Sequence, residues 1–325
     1  MNYFASHYKG KKVLITGHTG FKGTWLAAWL QHLGAKVVGI SIDLPSNPSN
    51  FKVSRMSEVL EDYRIDVCDS KAVRKVIQDT QPDFVFHLAA QALVRFSYKN
   101  PLETLATNAM GSANILDALR TLDKPVVAVM ITSDKAYDNV EWVWGYRESD
   151  QLGGKDPYSA SKGMAELVIR SYVESYFNTQ DNNIRVGIAR AGNVIGGGDW
   201  ARDRIVPDCM KSWSQNEMAD IRSPWATRPW QLVLEPLSGY LALGAALAEN
   251  TFHHGEAYNF GPPSNQNHSV AELISEMAKY WDSVRWNDIS KTEQHLHEAG
   301  LLKLNCDKAL SVSYTHLTLP TIYSV

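Results

Sequence analysis

Cysteine is scarce in this chain of 325 residues, and its three cysteines, Cys68, Cys209 and Cys306, are widely spaced. An odd number of distant cysteines provides neither a disulfide framework nor a zinc knuckle, so we expect a cytoplasmic protein without a metal site. Long apolar runs are also missing, since the run over residues 126–131 is far shorter than the roughly 20 residues that cross a bilayer. Residues 1–12 are polar and lack the apolar core of a signal peptide.

A charge excess of either sign is absent as well. The formal net charge is -3 at pH 7, so bulk electrostatics attract neither nucleic acid nor an acidic membrane. Hydrophobic residues make up 44% and charged residues 21% of the chain, a balance typical of folded proteins and unlike that of disordered ones. We therefore expect a globular protein of about two domains, at ~150 residues per domain, with no nucleic-acid or membrane partner.

Short apolar strands alternate with longer helical patterns up to about residue 190. The strand candidates are nearly continuous β-branched or apolar runs at residues 13–16, 36–42, 84–88, 126–132 and 184–190. The helix candidates carry apolar residues at helical spacing and lie at residues 24–33, 71–77, 100–120 and 158–177. Strands buried on both faces and separated by helices are typical of a Rossmann-type, doubly wound parallel sheet in an α/β protein.

The pattern loosens after this point, and Gly, Pro, Trp and Arg become frequent. We therefore predict a cofactor-binding Rossmann domain over residues 1–190. A smaller C-terminal substrate-binding lobe mainly occupies residues 191–310, with some of its elements returning to the sheet.

A glycine-rich turn, GHTGFKG at residues 17–23, stands between the first predicted strand and the first helix. Diphosphate must approach backbone N–H groups at a helix N-terminus, where a Cβ would block it, so this context favours nucleotide binding. Asp43 ends the second strand about twenty residues later and is placed to bind ribose hydroxyls. No Arg or Lys directly follows Asp43, which favours NAD over NADP.

Asp66 and Val67 follow a further strand-like stretch and either contact the adenine or belong to a solvated loop.

Tyr158 and Lys162 form a YxxxK pair on one face of a predicted helix. A lysine ammonium beside a phenol stabilises the phenolate, so we expect a lowered pKa for Tyr158 and a role as base. Ser133, Asp134 and Lys135 follow the strand before this helix, at the carboxyl edge where parallel sheets bind ligands. These three residues supply a hydrogen-bond donor, a candidate acid and a candidate base, although their composition alone indicates only a polar turn.

The glycine-rich turn followed by YxxxK resembles the extended branch of the short-chain dehydrogenase/reductase superfamily. Further motifs resemble the nucleotide-diphosphate-sugar 4,6-dehydratases and, within them, the CDP-glucose branch. They are GHTGFKGTWL (17–26), HLAAQ (87–91), TSDKAY (132–137), EWVWGYRE (141–148), DPYSASK (156–162), ARAGNVIGGGDW (189–200) and RPWQLVLEP (228–236). The resemblance covers roughly residues 8–310. The Asp-Lys pair at 134–135 is its most discriminating feature, since members acting on dTDP-glucose carry Asp-Glu there.

This resemblance implies an NAD-dependent hydro-lyase that oxidises, dehydrates and reduces CDP-glucose within one active site, for dideoxyhexose and surface-polysaccharide (O-antigen, lipopolysaccharide) biosynthesis. It implies that Tyr158 takes the proton of the glucosyl 4-hydroxyl, Ser133 steadies the ketone and Asp134 protonates the departing 6-hydroxyl. Lys135 either removes the C5 proton or only polarises the site. Lys162 also hydrogen-bonds the nicotinamide ribose.

The resemblance also assigns binding residues. The NAD-binding set is Gly17, Thr19, Gly20, Phe21, Lys22, Gly23, Asp43, Asp66, Val67, Leu88, Ala89, Ala90, Asn108, Tyr158 and Lys162. The set that binds the CDP-glucose substrate is Gln91, Ser133, Asn193, Arg202, Arg204 and Arg228.

Assembly as a homodimer is a further implication, because superfamily members pair two helices of each subunit in a four-helix bundle. We expect an outward apolar face made of Leu105, Ala109, Leu116, Ala165, Ile169 and Tyr172. Residues 311–325 depart from the family pattern and resemble translated vector sequence, so they are interpreted as a non-native tail.

Two other functions stay open at this level. One is a different nucleotide-sugar 4,6-dehydratase or 4-epimerase with the same cofactor and Tyr–Lys pair. The other is an NAD-sensing regulatory protein, against which Tyr158 and Lys162 argue.

Overall fold

The computed structural model describes residues 2–179, 182–263, 266–291 and 299–312. The strands are β1 (Lys12–Thr16), β2 (Lys36–Ser41), β3 (Glu61–Arg64), β4 (Phe84–His87), β5 (Val126–Ile131), β6 (Ile184–Ala191), β7 (Val194–Ile195), β8 (Ala219–Ile221), β9 (Thr227–Arg228), β10 (Gln231–Leu232), β11 (Ala257–Phe260), β12 (His268–Ser269) and β13 (Trp286–Asp288). The helices are α1 (Asn2–Tyr8), α2 (Phe21–His32), α3 (Asn50–Val53), α4 (Ser70–Thr80), α5 (Val94–Lys99), α6 (Pro101–Leu105), α7 (Gly111–Leu119), α8 (Pro157–Tyr172), α9 (Ile205–Ser214), α10 (Leu234–Glu249), α11 (Val270–Met277) and α12 (Asp307–Val312).

Seven strands form one parallel sheet in the order β11-β6-β5-β4-β1-β2-β3. The predicted α/β class with a doubly wound parallel sheet is therefore confirmed. The strand order reverses between β1 and β4, and in such sheets the crevice at this point, outside the carboxyl ends of the strands, is the ligand site. We therefore expect the ligand site among the loops that follow β1, β4, β5 and β6.

Apolar side chains alternate between the two faces of the sheet, and each face carries its own core. Val13 and Ile15 of β1 pack on the side of α2 and α10, in a cluster that includes Leu30 and Leu237. Leu14, between them, packs in a cluster built with α4, α7 and α8. Both cores are fully buried, as expected for strands covered by helices on both faces.

The chain returns to this sheet after the short strands of the C-terminal part. There, β7 pairs with β10, β8 with β13 and β9 with β12, while β11 pairs in parallel with β6 at the sheet edge. The boundary near residue 190 stays a prediction. Of the predicted tail 311–325, only Ser311 and Val312 are described, at the end of α12, and the rest lies outside the described residues.

The predicted outward face of the two long helices is wrong for four of its six residues. Ala109, Leu116, Ala165 and Ile169 are buried, because this helical region lies against the sheet and turns these side chains toward it, while Leu105 and Tyr172 are half-buried. The same helical region exposes other apolar side chains. They are Leu102, Met110, Met164 and Leu167, with relative exposures of 80%, 56%, 44% and 55%.

Within the described ranges, no helix is both long and apolar enough to cross a membrane.

Candidate functional site

The carboxyl ends of the sheet strands open into a cavity of about 1840 Å³. Its wall includes the whole loop between β1 and α2 except His18, and α2 begins at Phe21 with Gly20 as its N-cap. Gly20 has no side chain to cap the first-turn N–H groups, so these donors are left for a ligand in the cavity. An anion held by backbone N–H groups and the helix dipole is the ligand that such a cradle suits.

The loop is closely packed from behind. Gly17 has φ +74°, and a Cβ there would lie 2.8 Å from the backbone nitrogen of Ala89 in the loop after β4. The Thr19 hydroxyl donates to the carbonyl oxygen of Asp43 over 2.6 Å. These contacts tie the phosphate loop to the ends of β2 and β4, and they leave room for a diphosphate on the cavity side.

Acidic side chains follow β2 and β3 on this side of the crevice. Asp43 is exposed at the end of β2, and Asp66 follows β3; both line the cavity, as does Val67. Pro45 and Ser46 line the wall beside Asp43, and neither carries a positive charge. A ribose with free hydroxyls fits this edge, whereas a 2′-phosphate would meet a carboxylate. The residues here fit NAD.

The loop after β4 forms the middle of the wall through Leu88, Ala89, Ala90 and Gln91. Asn108 does not line the cavity. Its carboxamide bonds both backbone groups of Gln91, at 2.8 and 3.0 Å, and donates to the Ser161 hydroxyl over 2.7 Å. Because its polar atoms are used in this way, Asn108 supports the wall from behind instead of facing a ligand.

Tyr158 and Lys162 lie one turn apart at the start of α8, and the Asp156 carboxylate caps this helix by accepting from the Ser159 N–H over 2.9 Å. Both side chains border the cavity and are largely buried. Burial raises the pKa of Tyr158 to about 12, partly offset by a hydrogen bond with Ser133. Burial also lowers the pKa of Lys162 to about 8. The expected fall in the Tyr158 pKa is therefore wrong here, because desolvation outweighs the Ser133 hydrogen bond and the Arg204 guanidinium, which both lower this pKa.

Ser133, Asp134 and Lys135 follow β5 and border the same cavity. Oδ1 of Asp134 accepts from the Ser133 hydroxyl over 2.9 Å. Oδ2 is buried and has no hydrogen-bond partner in the part of the chain that the structure describes. A buried polar atom without a partner costs free energy, so this oxygen is suited to meet a polar group of a ligand. Lys135 is half-buried, and its N–H donates to the Ser133 hydroxyl over 3.2 Å.

Cationic side chains gather around this carboxylate. Lys22 is half-buried, and its pKa is lowered to about 8 by desolvation and by the nearby Arg204 guanidinium, while Asp134 acts in the opposite direction. Arg204 pairs with Asp199 over 2.8 Å. Such a cluster suits a ligand that carries phosphates.

The predicted substrate residues are divided by the fold. Asn193 follows β6 and lines the cavity, together with Arg204 and the buried Arg228 of β9. Arg202 does not line it. This side chain is exposed in a turn whose next residue, Asp203, has φ +59°, and the turn leaves it at the surface.

Three buried polar residues beside the site were missed from the sequence. Thr132, which lines the cavity, and Arg190 both donate hydrogen bonds to the Glu166 carboxylate, next to the Ser133–Asp134 segment. The sequence does contain a signal for them. Glu166 stands four residues after Lys162, on the same helix face, and Arg190 is the charged residue in the fully buried part of β6.

Comparison with known proteins agrees with this geometry. Residues 14–185 match the family model described as GDP-mannose 4,6 dehydratase. The chain is 45% identical over 306 residues to the CDP-glucose 4,6-dehydratase of Salmonella typhimurium, covering 93% of this chain and 85% of the relative.

Two solved structures show the same fold. UDP-glucuronic acid 4-epimerase from Bacillus cereus has a TM-score of 0.78 at 23% identity, over 93% of this chain and 92% of that one. DesIV, a dTDP-glucose 4,6-dehydratase from Streptomyces venezuelae, has a TM-score of 0.76 at 20% identity, over 92% and 90%.

Both of these solved structures hold NAD, and the family match and the 45% identical relative define this chain as an enzyme that acts on a nucleotide sugar. Within this class, the chain belongs to the family of nucleotide-sugar 4,6-dehydratases, which are hydro-lyases.

Proposed function

We propose that the protein converts CDP-glucose to CDP-4-dehydro-6-deoxyglucose and water. The observation that carries this proposal is the 45% identity, across 93% of the chain, with a relative named CDP-glucose 4,6-dehydratase. The Asp134–Lys135 pair, which distinguishes the CDP-glucose branch by resemblance, borders the cavity beside Tyr158.

A cytosine base is also supported by the charge of the cavity wall. Glu217, just before β8, and Asp220, within β8, both line the cavity. Carboxylates accept hydrogen bonds from the exocyclic amino group of cytosine, whereas uracil and thymine present a carbonyl oxygen at that position. Carboxylates at this wall therefore favour a cytidine nucleotide.

The first half of the reaction is assigned to Tyr158 and Ser133. Bound NAD supplies the chemistry of taking the hydrogen from glucose C4 and returning it at C6. Tyr158, in its phenolate form, takes the proton of the 4-hydroxyl. Ser133, which hydrogen-bonds Tyr158, donates to the same sugar oxygen as it becomes a ketone. Lys162 holds the nicotinamide ribose and keeps positive charge near the phenol.

The second half is assigned to Asp134 and Lys135. The 4-ketone acidifies the hydrogen on C5, and Lys135 removes that proton; its position in the cavity wall supports this role. Asp134 gives its proton to the departing 6-hydroxyl, and water leaves. The unpartnered Oδ2 of Asp134 is the atom that this step requires. Asn193, Arg204 and Arg228 hold the diphosphate of the sugar nucleotide.

We also propose a cytoplasmic homodimer that serves surface-polysaccharide synthesis. Leu102, Met110, Met164 and Leu167 form its apolar contact face. They are exposed on α6, on the π-helical segment Ala106–Met110 that follows it and on α8, and these elements pack together. Two such faces joined across a two-fold axis make a four-helix bundle.

Incubation of the purified protein with NAD and with CDP-, dTDP- or UDP-glucose tests the proposed function. We expect loss of one water from CDP-glucose, measured by mass spectrometry, and at least about 100-fold lower kcat/KM for the other two, since a site built to hydrogen-bond one base leaves polar groups unpaired with another. Water loss from dTDP-glucose alone would refute the CDP assignment. An epimeric product of unchanged mass would refute the dehydration.

A further inference from the structure

An ion pair that takes no part in the proposed chemistry lies directly beneath the site. Arg190 of β6 donates to Glu166 of α8 through Nε, over 2.7 Å to Oε1, and through Nη2 to Oε2. The side chains are 0% and 2% exposed. Taking both charges out of water costs about as much as their attraction returns, so such a pair is weak evidence for stability. Its position must be understood from the groups that it holds.

The Glu166 end of the pair joins the two halves of the catalytic constellation. Oε1 also accepts from the Thr132 hydroxyl over 2.7 Å, and Thr132 directly precedes Ser133. On its own helix, Glu166 lies one turn after Lys162, on the same face as Lys162 and Tyr158. A single carboxylate therefore links the carboxyl end of β5 to the helix that carries the proposed base.

The Arg190 end holds the other side of the same segment. Nη1 donates to the Tyr137 hydroxyl over 2.6 Å, and the guanidinium lies 4.7 Å from the centre of the Tyr137 ring. Tyr137 directly follows the short helical turn Asp134–Ala136. Segment 132–137, which contains Ser133, Asp134 and Lys135, is thus attached at both ends to one ion pair.

The hydrogen-bond chain continues from Tyr137 into the C-terminal part of the molecule. Its hydroxyl donates to Oδ1 of Asn259 over 2.8 Å. The Asn259 amide nitrogen then donates to the carbonyl oxygens of Tyr146 and Asn305, over 2.9 and 3.0 Å. The chain therefore anchors the clamp to β11 and to the segment around Asn305, which keeps the Tyr137 hydroxyl in one orientation.

We propose that Glu166 and Arg190 are positioning residues: together they clamp segment 132–137 onto α8 and so keep Ser133 and Asp134 in register with Tyr158. This inference rests on the catalytic roles proposed above and deepens them. A charge-paired clamp is suited to this task because its bidentate geometry fixes orientation as well as distance. Errors of about 1 Å in the placement of reacting groups cost about 100-fold in rate.

Tyr137→Phe tests the clamp without touching the cavity, since Tyr137 is not part of its described wall. Tyr8→Phe is the control for loss of a buried hydroxyl, because Tyr8 is equally buried and its hydroxyl donates to the carbonyl oxygen of Leu241 over 2.6 Å. We expect both variants to lose thermal stability, and Tyr137→Phe to lose more, since the Tyr137 hydroxyl makes two hydrogen bonds. Only Tyr137→Phe should lose kcat, by about 10- to 100-fold, with KM and NAD affinity within about twofold of wild type, the signature of a lost transition-state interaction.

A second pair of variants covers the possibility that Tyr137→Phe does not fold. Thr132→Val removes the hydroxyl that bonds Glu166 and should lower kcat similarly, whereas Thr132→Ser keeps this hydroxyl and should stay within about threefold of wild type. Unchanged kcat in both Tyr137→Phe and Thr132→Val would overturn the clamp while leaving the reaction intact. Unchanged kcat in Thr132→Val would do so alone if Tyr137→Phe is unfolded. A wild-type protein that dehydrates no nucleotide-glucose would instead refute the proposed function, and the clamp with it.

Discussion

Tyr158→Phe lowers kcat for CDP-glucose by about 10²- to 10⁴-fold, the range expected when a positioned acid–base group is removed. The physical reason is that Tyr158 is the phenol that borders the cavity next to Ser133 and Lys162, and phenylalanine keeps the ring but cannot take a proton. NAD binding and the melting temperature should change little, because the ring remains in its buried place. Steady-state kinetics and NAD titration measure both quantities.

The buried phenol Tyr8, far along the chain and absent from the described cavity wall, is again the control. Tyr8→Phe should leave kcat within about twofold of wild type, as expected for a residue outside the site. If Tyr158→Phe retained more than about a tenth of wild-type kcat, its assignment as general base would fail.

Gly23→Ala should disable the phosphate loop. An added Cβ would lie 2.1 Å from the carbonyl oxygen of Gly17 and 2.8 Å from Cα of His18, and both contacts are with backbone that cannot rotate away. Overpacking of this kind costs about 1–3 kcal/mol, and here it moves the N-terminus of α2 away from the diphosphate. We expect a lower melting temperature and loss of most of the stabilisation that added NAD provides.

Thermal unfolding with and without NAD measures this effect. Gly261→Ala is the control, since a Cβ there would make only ordinary contacts, with Sγ of Cys306 at 3.4 Å, and Gly261 does not line the cavity. A Gly23→Ala protein with wild-type melting temperature and wild-type NAD affinity would show that the loop tolerates a side chain and that this description of the cradle is incorrect.

The central sheet could be predicted because its strands are nearly pure apolar runs. β5 (Val126–Ile131) is fully buried along its length, and a run that apolar has few alternatives to a covered parallel strand. β3 (Glu61–Arg64) gives a weaker signal, since it is a polar edge strand. The short strand pairs after β6 gave no usable pattern, because two or three residues carry no periodicity and pairing depends on distant partners.

The faces of the long helices show where periodicity is insufficient. Ala109 and Ile169 were predicted to face outward but are buried, while Met164 and Leu167 are exposed. All of these positions are apolar, so the sequence shows two apolar stripes and no means of choosing the one that faces the sheet. That choice is made by packing against β4, β5 and α4, which local sequence does not report.

The candidate site was predictable where its residues follow strand ends. Gly17, Asp43, Ser133 and Asn193 all stand within two residues of a strand end, and parallel topology brings those ends together. The clamp of Glu166 and Arg190 was not predicted, because a charged residue in a sequence is normally expected at the surface. Glu166 can act as a clamp only because it pairs with Arg190, 24 residues away in the chain, and because both side chains are buried.

The most direct measurement of the central claim uses CDP-glucose that carries deuterium at C4, incubated with the wild-type protein and NAD. The product should lose one water, carry the deuterium at C6 and leave no net reduced cofactor, as an internal oxidation, dehydration and reduction requires. Deuterium retained at C4 in a product of unchanged mass would show an epimerase, and deuterium released into free reduced cofactor would show a simple dehydrogenase. Either result would contradict the account.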